Sequence, residues 1–519
     1  MSDVLSDRLA GLSPAAIASL TGILRGIEKE GLRVDPTGFI AQTPHPASLG
    51  HTLTHPQITT DYSEALLELI TPVHGSVDQL MEHLTQLHRF LHECLDTEVM
   101  WAGSMPCRLD GEQSIPIAVY GESNIGMLKH VYRKGLDLRY GRTMQAIAGL
   151  HYNFSLPDTF WEAYQAQLGD SQSLQDFKSA QYFALIRNFR RNAWLLMYLF
   201  GASPALDRSF LAGQSHALQE LGADTLHLPF GTSLRMGDLG YHNNAQAGLQ
   251  ICFNHLSSYT DSLYQAIHTP YPAYEKMGVQ RDGEYLQLNT NILQIENEYY
   301  STIRPKRTTG PGEKPTQALQ ARGVEYIEVR CMDLDPFLPV GMDGHGARFL
   351  DAFLLYCLLE ESPQIGRDEC LHLDDNFRKV VARGREPGLM LALQGQPVPL
   401  AEAAERLLQR IEGAAQLLAD SYQDQGYLVA LRQQVDKVRR PELTPSARVL
   451  EILTQENMSY LELVLELSRK HQAVLRRQPL SAEERQFWEQ MAADSFREEE
   501  ALRSRDQLSF AEFLAQYVA

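Results

Sequence analysis

Between Val77 and Leu95 the apolar residues fall at Val77, Leu80, Met81, Leu84, Leu87, Leu91 and Leu95. That spacing is one face of an α-helix, and Ser76 stands where a cap belongs. The three histidines of this helix, His83, His88 and His92, are expected on its solvated side. A second helix is predicted from about Leu400 to Tyr422, with Leu407, Leu408, Ile411, Ala414 and Leu418 on its buried face. Ser481 and Glu484 make a capping box ahead of Phe487 and Trp488. From about Ser446 onward the pattern is helical with charged outer faces, which is compatible with a solvated helical appendage. The apolar runs Ala193–Phe200 and Phe349–Leu359, the latter interrupted by Asp351, are too short to cross a bilayer and predict buried helices. Thr308–Gln317 and Gly384–Pro399 are dense in Gly and Pro and predict mobile loops.

Other segments alternate with a period of two, which puts every second side chain on the same face of a strand. In Ile27–Val34, Glu28 and Glu30 share a face. In Leu150–Leu156, His151, Asn153 and Ser155 share one. In Val324–Asp333, Glu328 and Arg330 align with Tyr326. In Ala65–Ile70, Glu68 points away from Leu67 and Leu69. In Leu293–Tyr300, Glu296, Glu298 and Tyr300 are predicted to align. The polar face repeatedly carries Glu, Asp, His, Asn and Arg. If these strands belong to one sheet, that face is an acidic basin. Clustered carboxylates repel one another, so such a basin needs raised pKa values or cations. Hard divalent ions such as Mg²⁺ are the natural partners of carboxylate oxygens and often bridge them to nucleotide phosphates.

Composition narrows the choice. The chain has 519 residues with 44% apolar and 21% charged residues, so a large core is expected. Its formal charge of −19 disfavours nucleic-acid or anionic-membrane partners. No signal segment is visible at the N-terminus, and the six cysteines are scattered without a C-x-x-C pair. A cytoplasmic protein with reduced thiols is the expectation. Gly121–Gly126 has the glycine spacing of a phosphate loop, but Met127 and Leu128 replace its Lys and Ser/Thr. Neither a G-x-G-x-x-G between strand and helix nor a G-x-S-x-G is present.

Seven segments then occur in order: RGIEKEGLRV (Arg25–Val34), ITTDYSEALLELITP (Ile58–Pro72), YRKGLDLRYG (Tyr132–Gly141), MQAIAGLHYNFSLP (Met144–Pro157), SLRMGDLGY (Ser233–Tyr241), LQIENEYYSTIRPKR (Leu293–Arg307) and GVEYIEVRCMDLDPF (Gly323–Phe337). Together they closely resemble the proteobacterial glutamate–cysteine ligases, from about Leu20 to the C-terminal helices. Past about Pro399 the match is in helical character more than in wording.

The resemblance implies an α+β, glutamine-synthetase-like fold. A curved, mainly antiparallel sheet would hold metals on its concave face, with helices around it and a helical C-terminal region. The catalytic domain would be residues 1–399, with residues 400–519 packed on it as helices. It implies ATP-dependent joining of the glutamate γ-carboxylate to the cysteine amino group through γ-glutamyl phosphate, the first step of glutathione synthesis. Phosphorylation turns an oxide leaving group into phosphate, and metal ions neutralise the charge that moves. By resemblance the metal ligands are Glu28, Glu30, Asp61, Glu68, His151 and Glu328. They would hold about two to three Mg²⁺, with Mn²⁺ able to substitute. Arg330 would stabilise the transferring phosphoryl group beside Glu328. Arg235 would bind the glutamate α-carboxylate with Gln145 nearby. Tyr62, Tyr132, Leu136, Gln145, Tyr241 and Tyr300 would form the cysteine pocket, and Lys306 and Arg307 are candidate phosphate contacts. The partners are then small molecules (ATP, L-glutamate, L-cysteine), with no nucleic acid, no membrane and a monomeric chain. The competing readings are a related ligase with another amine acceptor and a non-catalytic metal- or nucleotide-binding regulator.

Overall fold

The strand β1, Leu24–Val34, runs extended for eleven residues, and nearly all of it is buried on both faces. A strand covered on both sides forces its polar residues to find partners inside the protein. In the computed structural model, which describes residues 4–239, 249, 251–310 and 312–518, β1 is central to a seven-stranded sheet. The other strands are β2 (Ile58–Thr60), β3 (Leu66–Ile70), β4 (Val99–Met100), β5 (Leu150–Ser155), β6 (Ile303–Lys306) and β7 (Tyr326–Met332). Their order is β6-β7-β5-β1-β3-β2, β4 pairs the end of β1, and every pairing is antiparallel.

Helices cover the apolar face. Helix α1 (Val77–Cys94) packs on β1 and β3, and α3 (Leu174–Phe200) packs on β6 and β7. Helix α2 (Asn124–Tyr140) begins at Ser123, whose hydroxyl accepts from the Gly126 N–H. The run with Asp351 is α4 (Gly344–Leu359), buried almost throughout against α3. Helices α5 (Leu400–Tyr422) and α6 (Gly426–Arg439) pack on α4 and on each other. The stripe expected for α5 is buried as predicted; each leucine withdrawn from water this way contributes about 1.5–3 kcal/mol. Among the described residues no helix is long and apolar enough to cross a membrane.

Several local expectations fail. The C-terminal segment is not a solvated appendage. Helix α7 (Tyr460–Arg476) buries Leu461 and Val464 in the main core, and Trp488 of α8 (Ala482–Arg503) stacks on Phe90 of α1. Ser76 caps α1 only through its carbonyl, without a side-chain bond. Gly384–Pro399 contains the hairpin Met390–Leu393/Gln396–Pro399, and a helix starts at Pro315 inside the predicted loop Thr308–Gln317. Leu293–Tyr300 is not a strand: Glu296–Glu298 is a 3₁₀ turn. There Glu296 accepts from Thr316 and Glu298 from Arg139 and Tyr140, so the two acids have helix partners rather than a place on the sheet.

His88 and His92 are buried rather than solvated, because α7 lies over that side of α1. They line a small cavity with Lys29 and His471. Burial, with the Lys29 charge adding to it, pushes His92 down to about 3 and His88 well below its ordinary value. In the unfolded chain an imidazole titrates near ~6.5. Below that pH the unfolded state takes up protons that the folded state refuses, so stability falls as pH drops from ~6.5 toward about 3. In His92→Phe the slope of unfolding free energy against pH, from urea titrations between about pH 6 and 4, should shrink by up to about 1.4 kcal/mol per pH unit. An unchanged slope would mean that His92 is protonated in the fold.

Candidate active site

Alternation along β1 points Glu28 and Glu30 away from Lys29, onto the face opposite α1. Register then brings acids from other strands beside them: Glu28 lies opposite His151 of β5 and Glu30 opposite Glu68 of β3. Glu328 of β7 lies opposite Asn153 of β5, and Arg304 of β6 lies opposite Glu328. One oxygen each of Glu28 and Glu328 and one nitrogen of His151 fall within 4.8 Å of one another. His151 Nδ1 is 3.4 Å from Glu28 and 3.5 Å from Glu328, and its Nε2 is 3.9 Å from Glu30. Between Val329 and Met332 the β5–β7 register shifts, so Arg330 and Cys331 together face His151. Such a bulge re-aims a side chain. Arg330 Nη1 donates to Glu328 Oε1 at 2.9 Å.

The charges on this face are strongly coupled. Burial, then Glu28, Asp61 and Glu30, push Glu68 up to about 8. Burial likewise raises Glu30. Glu328 goes the other way: burial works against ionisation, but Arg330, Lys306 and His151 hold it well below the usual carboxylate range. His151 is pushed up to about 9, because its bonds to Glu28 and Glu328 outweigh burial and the Arg330 charge. The imidazole thus offers a proton as counter-charge to the carboxylates. A divalent ion among the same atoms would take over that task and release the proton.

A cavity opens beside this face. Its lining includes Glu30, Asp61, Tyr62, Tyr132, Leu136, Gln145, Tyr300 and Arg330. Sequence reasoning named all of these. It did not name Arg133 and Arg304, which also line the cavity. Arg304 was legible, since alternation in Ile303–Lys306 pairs it with Lys306 on one face. Lys306 Nζ lies 3.5 Å from Glu328, whereas Arg307 turns away to Glu325 and to the Arg322 carbonyl. Arg133 donates to the Asp61 carbonyl and stacks on Tyr120, which no spacing rule foretells. Arg235 is fully buried and does not line the cavity. Its Nη2 donates to the Arg330 carbonyl at 2.8 Å, and Nη1 lies 3.6 Å from Asp333. Tyr241 lies outside the described residues.

The family profile described as glutamate–cysteine ligase matches residues 11–380. The chain belongs to the glutamate–cysteine ligase family. Among curated members it is 58% identical to the glutamate–cysteine ligase of Azotobacter vinelandii, over 100% of this chain and 99% of that one. The same enzyme of Hahella chejuensis is 56% identical over equal shares. The crystal structure of the Francisella tularensis glutamate–cysteine ligase in complex with AMP superposes with a TM-score of 0.89 at 37% identity, covering 96% of this chain and 97% of that one. A bifunctional glutathione synthetase from Pasteurella multocida shares the fold, with a TM-score of 0.71 at 24% identity, over 89% of this chain and 54% of its own.

In this glutamate–cysteine ligase family member the donors on the sheet suit a hard divalent ion. They are carboxylate oxygens with one imidazole, and Glu328 Oε2 is buried without a hydrogen-bond partner. The cysteines are free thiols, and burial pushes Cys107 well above the ordinary thiol value, so it is not poised as a nucleophile.

Proposed function

We propose that this chain forms γ-glutamylcysteine from L-glutamate and L-cysteine with ATP as phosphoryl donor. The observation that carries the reading is the joint placement of the acidic cluster, Arg330 and a tyrosine-lined cavity on one face of the sheet. Glu28, His151 and Glu328, with Glu30, Asp61 and Glu68, would hold Mg²⁺ or Mn²⁺. When bound, these ions would neutralise the charge on the nucleotide phosphates and on the transferred group.

The protein's own groups do the rest. Arg330 is fixed by Glu328 and aimed at the cavity, so its guanidinium can bind the oxygens of the transferring phosphoryl group without reorganising. Lys306 lies along the same carboxylate and supplies a second cation for the nucleotide phosphates. Tyr62, Tyr132 and Tyr300 offer apolar ring faces to the thiol arm and hydroxyls to the carboxylate of the acceptor. Leu136 closes the apolar side, and Gln145 supplies an amide. The glutamate α-carboxylate is assigned to Arg235. The Met236 sulfur touches both Arg235 Nη1 and the Tyr300 hydroxyl, so that carboxylate must displace it. The acyl phosphate stays on the substrate, so no covalent nucleophile is required. We read residues 1–399 as the catalytic unit, residues 400–519 as helices packed on it, and the working form as a monomer.

The test is ADP release by the full-length protein with Mg²⁺, ATP and glutamate, with and without cysteine, and mass analysis of the product. Cysteine-dependent release and a dipeptide mass are expected. Glutamate-dependent ADP release with no preference for cysteine would assign the chain another amine acceptor.

A further inference from the structure

We propose that the buried Arg139–Glu298 ion pair is a positioning device for the acceptor cavity, holding its two walls at the separation that selects a cysteine-sized amine. This rests on the ligase reading above and concerns residues given no substrate contact there, although Glu298 and Tyr140 line the same cavity.

The two walls have different origins. Tyr132, Leu136 and Tyr140 come from α2, while Glu298 and Tyr300 come from the chain just before β6. Among the described residues, the first backbone bond of that second wall to the sheet is at Thr302, whose carbonyl accepts from the Arg330 N–H, and before it the wall is tied to the sheet by Arg304 of β6, which donates to the Asn297 and Tyr299 carbonyls. Towards α2 its position is set by side chains. Arg139 Nη1 donates to Glu298 Oε1 at 3.1 Å, and the Tyr140 hydroxyl donates to the same oxygen. The Gln294 N–H donates to Glu298 Oε2 at 2.7 Å. Arg139 also donates to Gln287 Oε1 at 2.9 Å and to the Asn289 carbonyl at 2.8 Å. Gln294 Nε2 reaches back to the Tyr132 carbonyl at 3.2 Å. At Gly135 the walls touch: a Cβ there would lie 2.1 Å from Gln294 Oε1, so any larger residue would push the Gln294 amide from its place.

The side chains of the pair are 0% and 1% exposed. A buried ion pair loses much of its attraction to desolvation, so its worth lies more in fixing geometry than in net stability. Here the geometry it fixes is the distance from the α2 wall to Tyr300. Misplacing a pocket wall by a fraction of an ångström weakens binding at that pocket and leaves other subsites alone.

Glu298→Gln keeps the shape and removes the charge. Its KM for cysteine should rise roughly tenfold to a hundredfold. The KM values for glutamate and ATP should stay within about twofold, a split that a general scaffold role would not produce. Preference for cysteine over its homologue one methylene longer should fall in the same variant. Tyr140→Phe, a milder change, should move the same constants in the same direction and serves if Glu298→Gln does not fold. An unmoved KM for cysteine in folded variants overturns the proposal. So does a parallel rise of all three constants with a lowered Tm. The wild-type protein separates the two layers: if it forms no cysteine adduct, the ligase reading fails and takes this proposal with it. If it does and the variants match it, only the positioning role fails.

Discussion

Glu328→Gln is expected to lose about a thousandfold or more in turnover while remaining folded. Glu328 is fully buried in β7 and is the group on which the site's cations converge. Arg330 is bonded to it, Lys306 Nζ lies 3.5 Å away, and His151 Nδ1 lies 3.5 Å away. The amide keeps the volume and the strand ladder. It removes the negative charge that aims Arg330 and that would hold a divalent ion beside Glu28 and His151. Uncompensated Arg330 will lower stability somewhat, so the check is kcat together with a thermal melt. Near-normal turnover in a folded variant would mean that this face does not carry the reaction.

Asp351→Ala is expected to cost about 3–5 kcal/mol of stability, the penalty for leaving one partner of a buried ion pair uncompensated. Arg25 Nε donates to Asp351 at 2.6 Å, and both side chains are 0% exposed. Tyr152 and Tyr427 donate to the same carboxylate at 2.9 and 3.1 Å. Arg25 further donates to the Ile23 and Gly75 carbonyls. This one cluster therefore joins β1, β5, α4 and α6, binding the active-site strands to the C-terminal helices. Urea unfolding measures the loss. Replacing both partners with apolar residues of similar volume should recover much of it, because desolvation offsets most of the pair's attraction. A loss below about 1 kcal/mol in the single variant would show that the cluster tolerates an unpaired arginine.

Strict alternation made the reactive face legible before any coordinates. Glu68, His151, Glu328 and Arg330 each sit in a strand whose other face is apolar, while Glu28 and Glu30 alternate with Arg25, Lys29 and Arg33, which take buried places on the opposite face of β1. The order of the strands was not legible, since pairings such as Glu28 with His151 join residues more than a hundred positions apart. The failures have local causes. Leu293–Tyr300 has the alternation of a strand, but Arg139 and Tyr140 of α2 capture Glu298 and turn the chain. His88 falls inside the apolar arc of α1, four residues after Leu84 and seven after Met81, and His92 falls at its edge, so their burial was legible from spacing; the cover that α7 supplies from the far end of the chain was not. Tertiary packing decides the fate of Leu293–Tyr300 and the arrival of α7, and periodicity within a window records neither.

The most direct test of the central claim is to titrate Mn²⁺ into the full-length protein and count bound ions by electron paramagnetic resonance, for the wild type and for Glu328→Gln. The wild type is expected to bind about two to three ions, and the variant to lose one or bind it tenfold to a hundredfold more weakly. Equal stoichiometry and affinity in the two proteins would contradict the assignment of cations to this face.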